Sequence, residues 1–159
     1  MQAYVTSFGV GFVTGMRSMT ACAALSWAAS DGRTRGELIP NGTGARTLAT
    51  AAALAEMAGD KMPFAPDRRI SPSFAFRLAI GAIGGWALAG RHASPEIGAL
   101  SGVAGAVVGT IIGRSARGSD SQTNSGRAKG LVEDAVAAGL ATLVVASAEH
   151  HHSAFPPVR

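Results

Sequence analysis

Charge is spread along this 159-residue chain in a way that leaves few folds open to it. Residues 1–16 carry no charged side chain, Arg17 interrupts, and 18–30, 78–90, 97–113 and 135–148 are again free of charge. Between them lie charge-dense stretches at 31–37, 60–69 and 114–129. A helix on a water-soluble domain needs a wet face, with a polar group recurring every three or four residues. The uncharged stretches lack one, so they read as helices apolar all round, the pattern of a membrane bundle. The longest, 97–113, has 17 residues, about 26 Å of helix and a little short of a comfortable crossing. A buried helical bundle in water is the rival reading.

Composition points the same way. The 32 Ala and 21 Gly make up a third of the chain, and 15% of residues are charged, against roughly 25% in ordinary soluble domains. Mean hydropathy is +0.24. The glycines have no three-residue period, which excludes collagen, and the apolar content argues against disorder. One cysteine, Cys22, excludes a disulfide framework and a multi-cysteine metal site; it is expected to be a buried small apolar residue. Residues 1–148 form one all-α transmembrane domain of about four to five helices, and 149–159 a flexible tail. Helices are expected near 3–29 (with a break near Arg17), 45–61, 74–90, 97–114 and 128–148. The first segment has no positive leader, so it reads as a retained helix and not a signal peptide.

Glycine spacing sets how these helices meet. Gly11 and Gly15, Gly81 and Gly85, Gly98 and Gly102, and the run Gly105, Gly109, Gly113 recur at helical intervals. In lipid, small residues let backbones touch, and packing replaces the hydrophobic effect as the force between helices. Glycine-zipper packing, with homo-oligomer formation through the same faces, is the expectation. Two short patterns also recur: Gly11–Gly15 precedes Arg17-Ser18 as Gly109–Gly113 precedes Arg114-Ser115, and Leu54-Ala55-Glu56 parallels Leu131-Val132-Glu133. With five spans the matching helices would run in opposite directions, an inverted repeat of the kind that places transporter sites at mid-membrane.

Sidedness follows from basic residues. The loops after the second and fourth expected helices carry Lys61, Arg68, Arg69, Arg77, Arg114, Arg117, Arg127 and Lys129, against Arg33, Arg35, Arg46, Arg91 and Arg159 on the other side. That bias places the N-terminus in the cytoplasm. The isoelectric point near 10.2 fits anionic lipid headgroups as partners, not nucleic acid, for which no aromatic-interleaved basic stripe exists.

Ionisable residues inside apolar helices are the candidate site. A charge in hydrocarbon costs about 2.5–3.5 kcal/mol on insertion scales, so it is paired, wet or near an end. Glu56 and Asp60 are four apart and share one helix face, where like charges repel unless a cation or proton intervenes. A polar cluster of Arg17, Ser18, Thr20, Glu56, Asp60, Lys61, Arg114, Glu133 and Asp134 is expected, with Arg17 and Arg114 as partners for the acids of 56 and 60 and an unidentified small solute or ion as the ligand.

The same blocks resemble a known family. Gly15-Met16-Arg17-Ser18-Met19-Thr20, the run from Glu56 to Arg68, the glycine ladder of 98–113 and Leu131-Val132-Glu133-Asp134 are similar to the bacterial membrane family called domain of unknown function 4126, over about residues 9–145. The resemblance implies a small multi-pass inner-membrane protein and brings no substrate with it. The His-rich tail does not belong to it.

Other chemistry finds no foothold in the sequence. His150-His151-His152 lie beside Pro156-Pro157 in the tail, without fixed ligand geometry. There is no phosphate-cradling loop with Lys-Ser/Thr and no nucleophile elbow. Trp27 and Trp86 near helix ends suit interfacial anchoring. The expectation is a non-enzymatic protein without cofactor or metal: a small transporter or channel, or else a structural module that oligomerises through its glycines, or a protein that gathers lipid.

Overall fold

The computed structural model describes residues 2–59, 71–90, 93–117 and 124–148. These form six helices: α1 (Gln2–Met16), α2 (Ser18–Ser30), α3 (Gly42–Gly59), α4 (Ser71–Ala87), α5 (Pro95–Arg117) and α6 (Asn124–Ser147). Alanine-rich interiors favour helix throughout. Pro72 and Pro95 fall in the first turn of their helices, where a missing N–H is tolerated. Helix α2 ends on Gly32, whose φ of +68° suits a residue without Cβ, while the Arg33 N–H reaches back to the Ala28 carbonyl at 2.8 Å. Asp60, Lys61 and the tail 149–159 lie outside the described residues, as does the Glu133 side chain.

The expected first span is not a single rod. Arg17 is extended, with φ −143° and ψ 102°, and α2 folds back along α1. Val10 and Leu25 would stand about 22 Å apart in a straight helix. Instead both reach Gly84 of α4, where an added Cβ would lie 3.3 Å from Val10 Cγ1 and 3.0 Å from Leu25 Cδ1. This V-shaped hairpin makes six helices where four or five were expected, and it changes every later direction. Gly11 meets Gly102 and Gly15 meets Ala106, a constant offset, so α1 and α5 run parallel. Gly81 meets Gly102 and Gly85 meets Gly98, a constant sum, so α4 opposes α5. By the same reasoning α3 opposes α2 through Met19–Glu56 and Trp27–Thr50, and α6 opposes α1 through Gly9–Val144 and Arg17–Asp134.

These directions do not carry the expected inverted repeat. The two Gly-rich segments before Arg17 and Arg114 lie parallel, whereas α3 and α6, which hold the Leu-x-Glu patterns, run opposite ways. No single rotation relates both pairs.

Helix α5 is the axis of the packing. Its Gly102, Gly105 and Gly109 press against Gly11, Phe8 and Phe12 of α1, and Gly98 and Gly102 press against Gly85 and Gly81 of α4. A Cβ at Gly11, Gly85, Gly102, Gly105 or Gly109 would fall within bonding-like distance of a backbone carbonyl oxygen on the neighbouring helix. Around this contact the buried apolar residues are mostly small: Ala21, Ala24, Ala28, Ala87, Ala106, Ala137 and Ala141, with Val10, Val13 and Leu25 filling the rest.

Polarity is distributed inside-out. Thr6, Ser7, Thr14, Arg17, Ser18, Thr20, Ser26, Arg77, Thr110 and Asp134 are buried, whereas Val5, Leu48, Leu54, Leu100, Ile111, Leu131, Val132 and Leu143 are each more than half exposed. Pro95–Ser115 and Gly130–Ser147 are long and apolar enough to cross a membrane, and only 39% and 24% of those windows are buried inside the protein. Cys22 is half-buried and not enclosed as expected.

The close α4–α5 contact predicts opposite outcomes for two glycine substitutions. Gly102→Ala should lower stability by about 1–3 kcal/mol, because the methyl meets the rigid backbone of α4 at Gly81. Gly139→Ala, with open space around its Cβ position, should be neutral or gain up to about 1 kcal/mol of helix propensity. Thermal unfolding in detergent distinguishes them.

Candidate functional site

Breaking a helix leaves backbone groups without partners, and the candidate site is built from the answers to that problem. In an uninterrupted helix the Met19 N–H would donate to the Gly15 carbonyl. At the Arg17 break the two are separated and each is served from elsewhere. The Met19 N–H donates to Glu56 Oε2 at 3.0 Å, so a carboxylate from α3 caps the start of α2. The Gly15 carbonyl accepts from Arg77 Nη1 of α4. Thr110 Oγ1 of α5 donates to the Ala106 carbonyl at 2.8 Å and stands 3.4 Å from the same Gly15 oxygen. Arg17 itself uses no side-chain atom for capping. Its Nη2 lies 2.5 Å from Asp134 Oδ1 of α6, with the two side chains 3% and 9% exposed.

All six helices therefore converge on one point. That point is well inside the bundle: Thr110 lies seven residues before the end of α5 and Asp134 ten residues after the start of α6, about 10 and 15 Å along those axes. The geometry is that of a helical hairpin whose turn at Arg17 frees backbone groups that polar side chains of the neighbouring helices then hold.

Several expected residues meet here. Arg17, Glu56 and Asp134 are at the centre, with Ser18 and Thr20 buried on the first turn of α2. The Thr20 hydroxyl has no hydrogen-bond partner among the described residues. Arg114 is exposed and lies at the edge, lining a recess with Gly15, Ser73, Phe74, Arg77, Thr110 and Gly113. Asp134 forms an ion pair with Arg17.

Two residues of the centre are not evident from the sequence. Arg77 falls within the expected helix of 74–90 but is grouped there with the surface cations of the loops, and α4 begins at Ser71, three residues earlier still. Arg77 is in the helix and buried. An arginine close to a glycine ladder is the signal that points to it. Thr110 sits between Gly109 and Gly113 and reads in the sequence only as part of the packing face. At the opposite end of the bundle, Arg33 and Arg35 are not simply headgroup cations. Arg33 Nη1 donates to the carbonyls of Val145, Ala146 and Ala148, closing α6. Arg35 donates to Ala89, Gly90 and Ala93 beyond α4. Trp27 is half-exposed, with the Arg46 guanidinium 4.7 Å from its ring centroid.

No group of three or more His, Cys, Asp or Glu side chains comes together among the described residues. No family model, curated protein or solved structure matches this chain. What the centre can do is set by its own geometry.

The ion pair makes a sharp stability prediction. Arg17→Met removes the cation of a buried ion pair and should lower stability by about 3–5 kcal/mol. Arg17→Met combined with Asp134→Leu should recover a large part of that loss, because both members of the pair leave together. A double-mutant cycle on thermal unfolding in detergent measures the coupling.

Proposed function

We propose that this chain is a multi-pass inner-membrane protein whose broken-helix centre handles an ion or small polar solute, as in a small transporter. The observation that carries the reading is the convergence of buried Arg17, Arg77, Thr110 and Asp134 with half-buried Glu56 on a helix break, inside a bundle whose outer faces are apolar. Acyl chains suit exposed Leu100, Ile111, Leu131 and Leu143 as water does not. Polar and ionisable groups within such walls are retained for function or for locking helices, since each is expensive to place there.

The hairpin revises sidedness. The α1–α2 fold-back puts the N-terminus at the end of the bundle that holds Arg33 and Arg35, opposite the ends of α3 and α5. The cation-rich connecting stretches follow α3 and α5 in sequence. The rule that placed those stretches in the cytoplasm now places the N-terminus outside.

A second reading draws on the tightness of the centre. The Arg17–Asp134 pair is almost wholly enclosed, and the recess beside it has a volume of about 50 Å³. A structural module, in which these contacts lock helices and the exposed apolar faces join copies of the chain, needs no larger space.

Glu56→Gln separates the two. Its side-chain oxygen still accepts from the Met19 N–H, so the cap survives while the charge is removed. In proteoliposomes with an imposed pH gradient, the transporter reading expects solute or ion flux in the wild type and its loss in Glu56→Gln, with unchanged thermal stability. Absence of flux across a broad ion and metabolite panel, with both proteins folded, assigns the structural module.

A further inference from the structure

The recess beside the helix break has a chemistry of its own. It is walled by the C-terminal end of α1, the first turns of α4 and the last turns of α5, through Gly15, Ser73, Arg77, Thr110, Gly113 and Arg114, with Phe74 at its side. Its described lining contributes two guanidinium groups and two hydroxyls, and no carboxylate. One arginine, Arg77, is buried and has its Nη1 fixed by the Gly15 carbonyl, so its orientation is set before any ligand arrives. The other, Arg114, is exposed at the rim. Ser73 and Phe74 belong to the opening turn of α4, where the helix dipole adds to the positive field. The volume of about 50 Å³ exceeds the roughly 10–15 Å³ that one water needs and leaves room for one small polyatomic group.

We propose that this recess binds a tetrahedral oxoanion, a phosphate group presented either free or on a lipid headgroup. Guanidinium groups match phosphate through paired, charge-assisted hydrogen bonds, and the Ser73 hydroxyl supplies a further donor, the Thr110 proton being committed to the Ala106 carbonyl. The fixed arginine inside and the exposed arginine at the mouth have separate roles, Arg77 defining the position and Arg114 making the capture. Because Arg77 also holds the Gly15 carbonyl, an anion here bears directly on the group that closes α1. The inference rests on the recess and its charges, and does not require that the protein transport anything.

The experiment uses the full chain, purified in nonionic detergent and stripped of lipid. One arm titrates inorganic phosphate by calorimetry and ³¹P NMR. The other compares retention of phosphatidylglycerol with phosphatidylcholine by native mass spectrometry. Arg114→Gln removes the rim charge from an exposed position, Ser73→Ala removes a lining hydroxyl, and Arg46→Gln removes the same charge at the far end of the bundle. Expected is binding in at least one arm, weakened about tenfold by Arg114→Gln, as befits a lost charge-assisted hydrogen bond. Ser73→Ala should weaken it less, and Arg46→Gln should leave it unchanged. Phosphate binding assigns the free anion, and preferential retention of phosphatidylglycerol without phosphate binding assigns the headgroup. Binding in neither arm overturns the proposal, as does equal weakening by Arg46→Gln and Arg114→Gln, which would mean diffuse attraction to a basic protein.

Discussion

One exchanged hydrogen bond organises this molecule. The Met19 N–H and the Gly15 carbonyl, natural partners in a continuous helix, are parted at Arg17 and satisfied by Glu56 on one side and Arg77 with Thr110 on the other. In an apolar surrounding an unsatisfied backbone group costs several kcal/mol, so the break requires polar side chains from three other helices at one depth. That requirement explains why charged residues lie inside a bundle that otherwise buries alanine and glycine. It also ties the positions of α3, α4 and α5 to a single residue of extended backbone.

The glycines make the convergence feasible. Side chains as short as threonine can reach the Gly15 carbonyl only if α5 lies against α1 backbone to backbone, and Gly11, Gly102, Gly105 and Gly109 permit that approach. Ser7 does the same in miniature, its hydroxyl donating to the Gly85 carbonyl at 2.8 Å across the α1–α4 contact. Close packing and polar satisfaction are here one design: the small residues bring backbones near, and hydroxyls and guanidinium groups use the nearness.

Much of this is legible in the sequence, and the failures have physical causes. The uncharged runs locate the helices, because apolarity on all faces is a one-dimensional property. The glycine spacing marks faces where backbones come close, since a helical repeat of four places small residues on one face, but not which helices those faces join. Arg17 is visible as an intruder, but the sharpness of the turn is not: a single extended residue looks in sequence like a kink. That one angle reverses the expected relation of α1 to α5 and moves the N-terminus to the other end. That Asp134 comes to face Arg17 depends on helix rotation and on the hairpin at Arg17, which the sequence does not disclose. Arg77 escapes notice because, near the start of its expected helix, it reads as one more cation at a helix end and not as a buried capping group.

The arginines between α2 and α3 bear on the order in which the protein is made. Arg33 donates to carbonyls 112 to 115 residues further along the chain, and Arg17 meets an acid in the last helix. As the ribosome delivers the polypeptide, the α1–α2 hairpin emerges ahead of α6, whose Asp134 and terminal carbonyls meet Arg17 and Arg33. A nascent chain halted before α6 would have the hairpin held by α3, α4 and α5 but not yet by these two long-range contacts.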